Sequence, residues 1–236
     1  MRKYMMVFAL IGIWIVFTIL SAGTFLMPRN LSNLFRQSVF TGLLALGMVN
    51  VIILGQIDLS VGSLAGLCGG ILAMLNVWLD MSPALSILIT LFIGLLLGLW
   101  NGWWTAYRNV PSFIVTMAGL LVFRGALVGL SNGITIGPLS NFFSTIGKDF
   151  LDKTAGIILG VAVAVIYCVI QVIEWRRKNR LGLTSNPPWV RCLIFVVLIA
   201  LFVFVMNQYH GIPNPVIILL VFFIIFNYIS TKTMFG

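Results

Sequence analysis

Apolar runs of about 20 residues, the length needed to cross a bilayer core of roughly 30 Å, recur along the chain. Short polar stretches rich in Gly, Pro, Asn and basic residues separate them. The runs fall at roughly 4–27, 38–55, 59–79, 84–104, 111–131, 155–173, 190–207 and 214–230. This pattern predicts an all-α, polytopic transmembrane helix bundle of about eight membrane segments, forming a single transmembrane domain over residues 1–236. The first run is too long for the apolar region of a signal peptide and has no small-residue cleavage site.

Glycine adds a second periodicity inside the runs. Gly62, Gly66 and Gly70 recur every four residues, as do Gly94, Gly98 and Gly102. So do Gly125, Gly129, Gly133 and Gly137, with the last pair beyond the helix end. Residues four apart share a helix face. A face of glycines lets backbones approach closely, which is how membrane helices associate without a hydrophobic driving force between them. The expectation is a tight cluster of the third, fourth and fifth segments.

Composition agrees with the pattern. The 236 residues are 61% hydrophobic and only 8% charged, with a mean hydropathy of +1.13, where a soluble domain carries about 25% charge. The net charge of +9 is read as orientation rather than nucleic-acid binding, because Lys and Arg in short loops set topology. "MRKY" at the start and "EWRRKNR" at 174–180 both count to the cytoplasmic side, as does Arg108. Asp80 and the loop 132–154 count to the outside, where Lys148, Asp149, Asp152 and Lys153 cancel. Arg29 and Arg36 also fall outside, against the rule, so the start of the second segment is read as a partly embedded amphipathic stretch.

Two charged positions interrupt the apolar pattern. A charge at the bilayer centre costs about 2.5–3.5 kcal/mol on insertion scales, so such residues face a bundle interior or an aqueous path. Asp58, in "LGQIDLSVGS", follows a break in the run and precedes another. It is expected to be the N-cap of the third segment, its carboxylate taking a first-turn N–H, with lining of the transport path and proton coupling as the alternatives. Gln56, Ser60 and Ser63 accompany it as candidate path-lining groups. Arg124, a dozen apolar residues after Pro111, is the second candidate, either snorkelling outward or placed near a substrate mouth. The aromatic segment "LWNGWWTAYR", with Trp103, Trp104 and Tyr107, reads as an interfacial girdle. Cys68, Cys168 and Cys192 form neither a zinc spacing nor a disulfide framework, and His210 stands alone. No phosphate-binding loop, nucleophile elbow, zinc-protease motif or carboxylate pair is present. No catalytic residue, metal or cofactor is therefore expected in this chain.

"NVIILGQIDLSVGSLAGLCGG" and "VPSFIVTMAGLLVFRGALVGLSNG" together resemble the membrane permeases of sugar ABC importers, the ribose, galactose and xylose type. "GLLLGLWNGWWTAYRNVPSFIVTMAGLLVFRG" and the extra segment 174–213 look most like the xylose-type members. The resemblance implies a permease subunit that forms the translocation path of an ATP-driven sugar importer in the bacterial inner membrane. It implies a second permease copy, cytoplasmic ATP-binding subunits that use the ATP, and a periplasmic or extracellular sugar-binding protein, all in a lipid setting. In the family a cytoplasmic ATPase-docking loop follows the pattern "TKTMFG", so the chain is read as the N-terminal part of a longer permease. Other monosaccharides, or an ion-coupled secondary transporter, are the alternative readings.

Overall fold

The computed structural model describes residues 5–181 and 187–232. The basic stretch 1–4 and the final residues 233–236 lie outside the described residues. Among those described, the regular elements are helices: α1 (Met5–Leu20), α2 (Pro28–Ile53), α3 (Val61–Val77), α4 (Pro83–Ala106), α5 (Ser112–Ser131), α6 (Asn141–Lys148), α7 (Lys153–Arg180), α8 (Trp189–Asn207) and α9 (Asn214–Lys232). A short 3-10 turn, Thr24–Leu26, lies between α1 and α2.

The local reasons for these limits are visible in the sequence. Pro28 and Pro83 sit in the first turns of α2 and α4, where a missing N–H costs nothing and φ is already helical. The α2 helix ends in a Schellman turn. Gly55 takes φ +71°, its N–H donates to Ile52 O at 2.9 Å, and Gln56 N–H donates to Val51 O at 3.1 Å. The α5 helix ends at Asn132, whose φ of 52° is one an asparagine tolerates.

Among the described residues six helices, α2, α4, α5, α7, α8 and α9, are long and apolar enough to cross a membrane. This corrects the expectation of about eight. The first and third runs form helices of only 16 and 17 residues, about 24–26 Å at about 1.5 Å per residue. The first is cut short by the turn at Ala22 and Gly23, both at positive φ. The third loses its leading residues, Leu59 and Ser60, to the irregular approach before Val61. The burial pattern is that of a lipid-facing protein: Ser60, Ser86, Asn101, Thr116 and Ser131 are buried, whereas Leu, Ile and Phe cover the outside. No residue of α1 is buried.

The chain forms two compact units. One comprises the residues up to Ser38 together with Phe150–Ile217. Its centre is Val203, Met206 and Ile212, with Leu31, Leu151 and Ile199 packed around them. Here α7 packs on α8, and Gly160 lets the two backbones close around Val203. An isolated bridge between Phe150 and Pro213, and Leu151 N–H on Ile212 O at 2.8 Å, close the unit at one end.

The second unit comprises Val39–Asp149 and the residues from Ile218 onward. The α3 helix packs on both α4 and α5, and α4 packs on α5. This is the grouping that the glycine periodicity predicts. A Cβ on Gly66 or Gly70 would meet Leu127 of α5, and one on Gly94 would lie 3.3 Å from Cys68 Sγ. At the C-terminal end of α3, buried Asn76 accepts from Ser140 N–H at 3.0 Å and donates to Met81 O at 3.0 Å, which ties the helix end to the start of α6.

Candidate functional site

The stretch between the Schellman turn of α2 and the first turn of α3 is irregular backbone, neither helix nor strand. Irregular backbone at membrane depth is tolerated where protein or water satisfies its polar groups. Here α5 does much of that. Ile57 N–H donates to Ser112 Oγ at 3.2 Å. The Thr116 hydroxyl lies 3.2 Å from Ile57 O and 2.8 Å from Ser112 O. Asp58 then folds back on the chain: its Oδ1 accepts from Ser60 N–H at 2.7 Å and from the Ser60 hydroxyl at 2.6 Å. The same Ser60 oxygen accepts from Asn101 Nδ2 of α4 at 3.1 Å. Ser60 is fully buried and Asn101 is 9% exposed. Asp58, Ser60 and Asn101 are thus linked in series, joining α3 to α4, while Ser112 and Thr116 join the same stretch to α5.

The N-cap expectation for Asp58 is corrected by this geometry. The N-cap position of α3 is Ser60, and Asp58 lies two residues upstream. One carboxylate oxygen, Oδ1, is held in an Asx-type turn onto Ser60, so Asp58 organises the approach to the helix rather than capping its first turn.

A cavity of about 440 Å³ opens beside this joint, with Gln56, Asp58, Asn101, Thr105, Ser112 and Thr116 among its lining residues. Asn101 also borders a second cavity of about 310 Å³, lined by Trp100, Trp104 and Gly119 among others. Gly119 is what allows the close packing here: a Cβ would lie 3.3 Å from Ser60 Cβ and 3.4 Å from Asn101 Nδ2. The structure therefore brings Gln56, Asp58 and Ser60 together. Ser63 is half-buried one turn into α3, and Arg124 is exposed on α5 and outside both cavity linings. Within this chain, a Cβ at Gly62, Gly98, Gly102, Gly125 or Gly129 would meet nothing within 4 Å.

Asn101 and Gly119 are the residues that sequence reading missed. An asparagine inside an apolar span is a signal in itself, but the surrounding tryptophans assign "LWNGWWTAYR" to an interface. Those rings do cluster: Trp103 and Trp104 are 5.0 Å apart and the Arg108 guanidinium stands 4.8 Å from the Trp103 centroid. Gly119 falls outside the four-residue register of Gly125 and Gly129. Chemically, the joint offers a carboxylate, amides and hydroxyls, groups that hydrogen-bond a polyhydroxyl solute. It holds no nucleophile–base pair, and no group of three or more metal-ligating side chains occurs among the described residues.

A chain whose described residues form six bilayer-length helices, an apolar exterior and a polar joint inside a helix cluster is a polytopic membrane protein. The chain belongs to the family described as branched-chain amino acid transport system / permease component, which matches residues 30–236. It is a multi-pass protein of the bacterial cytoplasmic membrane. It is 42% identical over 239 residues to the xylose transport system permease protein XylH of Haemophilus influenzae, covering all of this chain and 64% of that protein. Identity to XylH of Escherichia coli strain K12 is 43% over 239 residues, all of this chain and 61% of that protein. The ribose import permease protein RbsC of Bacillus subtilis is 37% identical over 168 residues, 70% of this chain and 50% of that protein. The chain thus spans 61–64% of the length of these two xylose permeases. No solved structure matches it.

Proposed function

We propose that this chain is a transmembrane permease domain of an ATP-driven monosaccharide importer, with D-xylose as the sugar. The observation that carries this is the identity with the two xylose permeases along the whole chain, against 70% of it for the ribose permease. Cytoplasmic ATP-binding subunits would supply the energy, an external sugar-binding protein would deliver the substrate, and a second permease copy would complete the path. The permease itself performs no chemistry. It presents two conformations whose balance depends on nucleotide-bound and sugar-loaded partners. Within this chain the cavity beside Gln56, Asp58 and Asn101 is the segment of the path proposed to meet sugar hydroxyls, and Arg124 stands outside it.

The test is uptake of labelled sugars by cells that rely on this permease, as the cell makes it, for pentose entry. Xylose uptake abolished by ATP depletion and surviving a protonophore supports the reading. Uptake that follows the proton gradient instead identifies an ion-coupled transporter, and uptake of ribose in preference to xylose moves the assignment to another monosaccharide.

The proposed orientation makes a separate prediction. Lys178→Cys should label with an impermeant thiol reagent only from the cytoplasmic side, and Lys148→Cys only from the outside, in a background without native cysteines. Labelling of both from one side overturns the orientation.

A further inference from the structure

The α7 helix is 28 residues long, about 42 Å at about 1.5 Å per residue. Its apolar part ends at Ile173. The seven residues from Glu174 to Arg180 add two further turns, about 10 Å, against a headgroup layer of roughly 5–7 Å on each side of the hydrocarbon. These turns carry Arg176, Arg177, Lys178 and Arg180, all exposed, with Glu174 as the one acid. At about 100° per residue, Arg176, Arg177 and Arg180 fall within one arc of about 100°, while Lys178 stands four residues from Glu174 on another side. The last carbonyls of a helix carry partial negative charge, which favours these cations at this end.

A second feature fixes the depth of this end. Trp175 and Trp189, the latter the first residue of α8, have ring centroids 6.5 Å apart. Paired tryptophans favour the headgroup level. Exposed Arg191 adds a further cation in the first turn of α8. Only residues 181–188 separate the two helices, and with both tryptophans at headgroup level the cations fall within about two turns of that level.

We infer that the arc of Arg176, Arg177 and Arg180 binds the phosphate headgroups of anionic phospholipids in the cytoplasmic leaflet, an assignment of leaflet that rests on the orientation proposed above. Guanidinium groups engage phosphate through two parallel hydrogen bonds. The chemistry fits a lipid better than a soluble partner, because the cations continue an apolar helix surface directly into the turns that cross the headgroup layer.

The test is native mass spectrometry of the purified, delipidated permease titrated with dioleoylphosphatidylglycerol or dioleoylphosphatidylcholine. The wild type should retain the anionic lipid preferentially, and raising the salt should reduce that preference. The variant R176Q/R177Q/R180Q should lose about fivefold in preference for each cation that contacts lipid. R176K/R177K/R180K should keep most of it, which separates charge from helix damage. An equal preference in wild type and the glutamine variant overturns the proposal. So does loss of co-purifying ATP-binding subunits with lipid selectivity unchanged, which would assign the arc to a protein partner. If the glutamine variant does not fold, the salt dependence of the wild type decides: a preference that salt leaves intact is not held by these charges. Lipid selectivity in detergent is independent of sidedness, so its failure is distinguishable from failure of the cysteine-labelling result.

Discussion

Replacing Asp58 with alanine should lower the stability of the permease by about 2–3 kcal/mol, read from thermal unfolding of the purified protein in detergent. The Asp58 carboxylate accepts two hydrogen bonds from Ser60, both on Oδ1, and losing one charged acceptor costs about 1.5–3 kcal/mol. Ser60 is fully buried, so its amide and hydroxyl protons have no water to turn to once the carboxylate is gone. Asp58→Asn keeps an oxygen in the same place and should lose less than about 1 kcal/mol. The pair therefore separates two roles. If the asparagine variant is stable and transports normally, Asp58 serves the turn alone. If it is stable but its uptake falls, the charge itself takes part in transport. An alanine variant as stable as wild type would show that the turn does not depend on the carboxylate.

The second large effect is expected at Gly119. Leucine there must place its Cβ 3.3 Å from both Ser60 Cβ and Phe123 Cε2 and 3.4 Å from Asn101 Nδ2, then extend a further branched group into the same space. Overpacking of this kind costs about 1–3 kcal/mol. The displaced α5 would also pull Ser112 and Thr116 from Ile57. Gly119→Leu should thus be among the most damaging single changes in the second unit, lowering unfolding temperature and uptake together. Gly70→Ala provides the contrast. The atom it meets is Cδ1 of Leu127, the far end of a flexible side chain that can rotate away, so this change should be mild. Gly98→Leu, in open space within this chain, should leave the α3–α4–α5 contact intact. Equal losses at positions 119, 70 and 98 would contradict this account of the packing.

Much of the fold was legible because its driving force is local. Apolar runs long enough to cross lipid declare themselves without knowledge of their neighbours, and prolines mark several of the starts. The grouping of α3, α4 and α5 was legible in part: Gly66, Gly70 and Gly94 lie at helix contacts, whereas Gly62, Gly98, Gly102, Gly125 and Gly129 share the same spacing and meet nothing within 4 Å in this chain. Less was legible where backbone conformation trims a run. Nothing in "GQIDLSVGS" distinguishes a helix beginning after Asp58 from one beginning after Ser60. The choice depends on which donor the carboxylate reaches first, and Ser60 supplies two. Asn101 was hidden for a different reason. Its partner is 41 residues away in the chain, and that pairing exists only after α3 and α4 pack. Gly119 gains its meaning from the same contact.

The stitching of Ile57 to α5 also has a consequence in time. Its two partners, Ser112 and Thr116, lie 55 and 59 residues further along the chain. At synthesis rates of roughly 5–20 residues per second, the ribosome needs roughly 3–12 s to produce them after Ile57 has been made. During that interval the irregular segment between α2 and α3 exists without the side chains that later occupy the amide and carbonyl of Ile57. Its amide and carbonyl must meanwhile be satisfied by water, and their protein partners come with the fifth helix rather than with the third helix that it introduces.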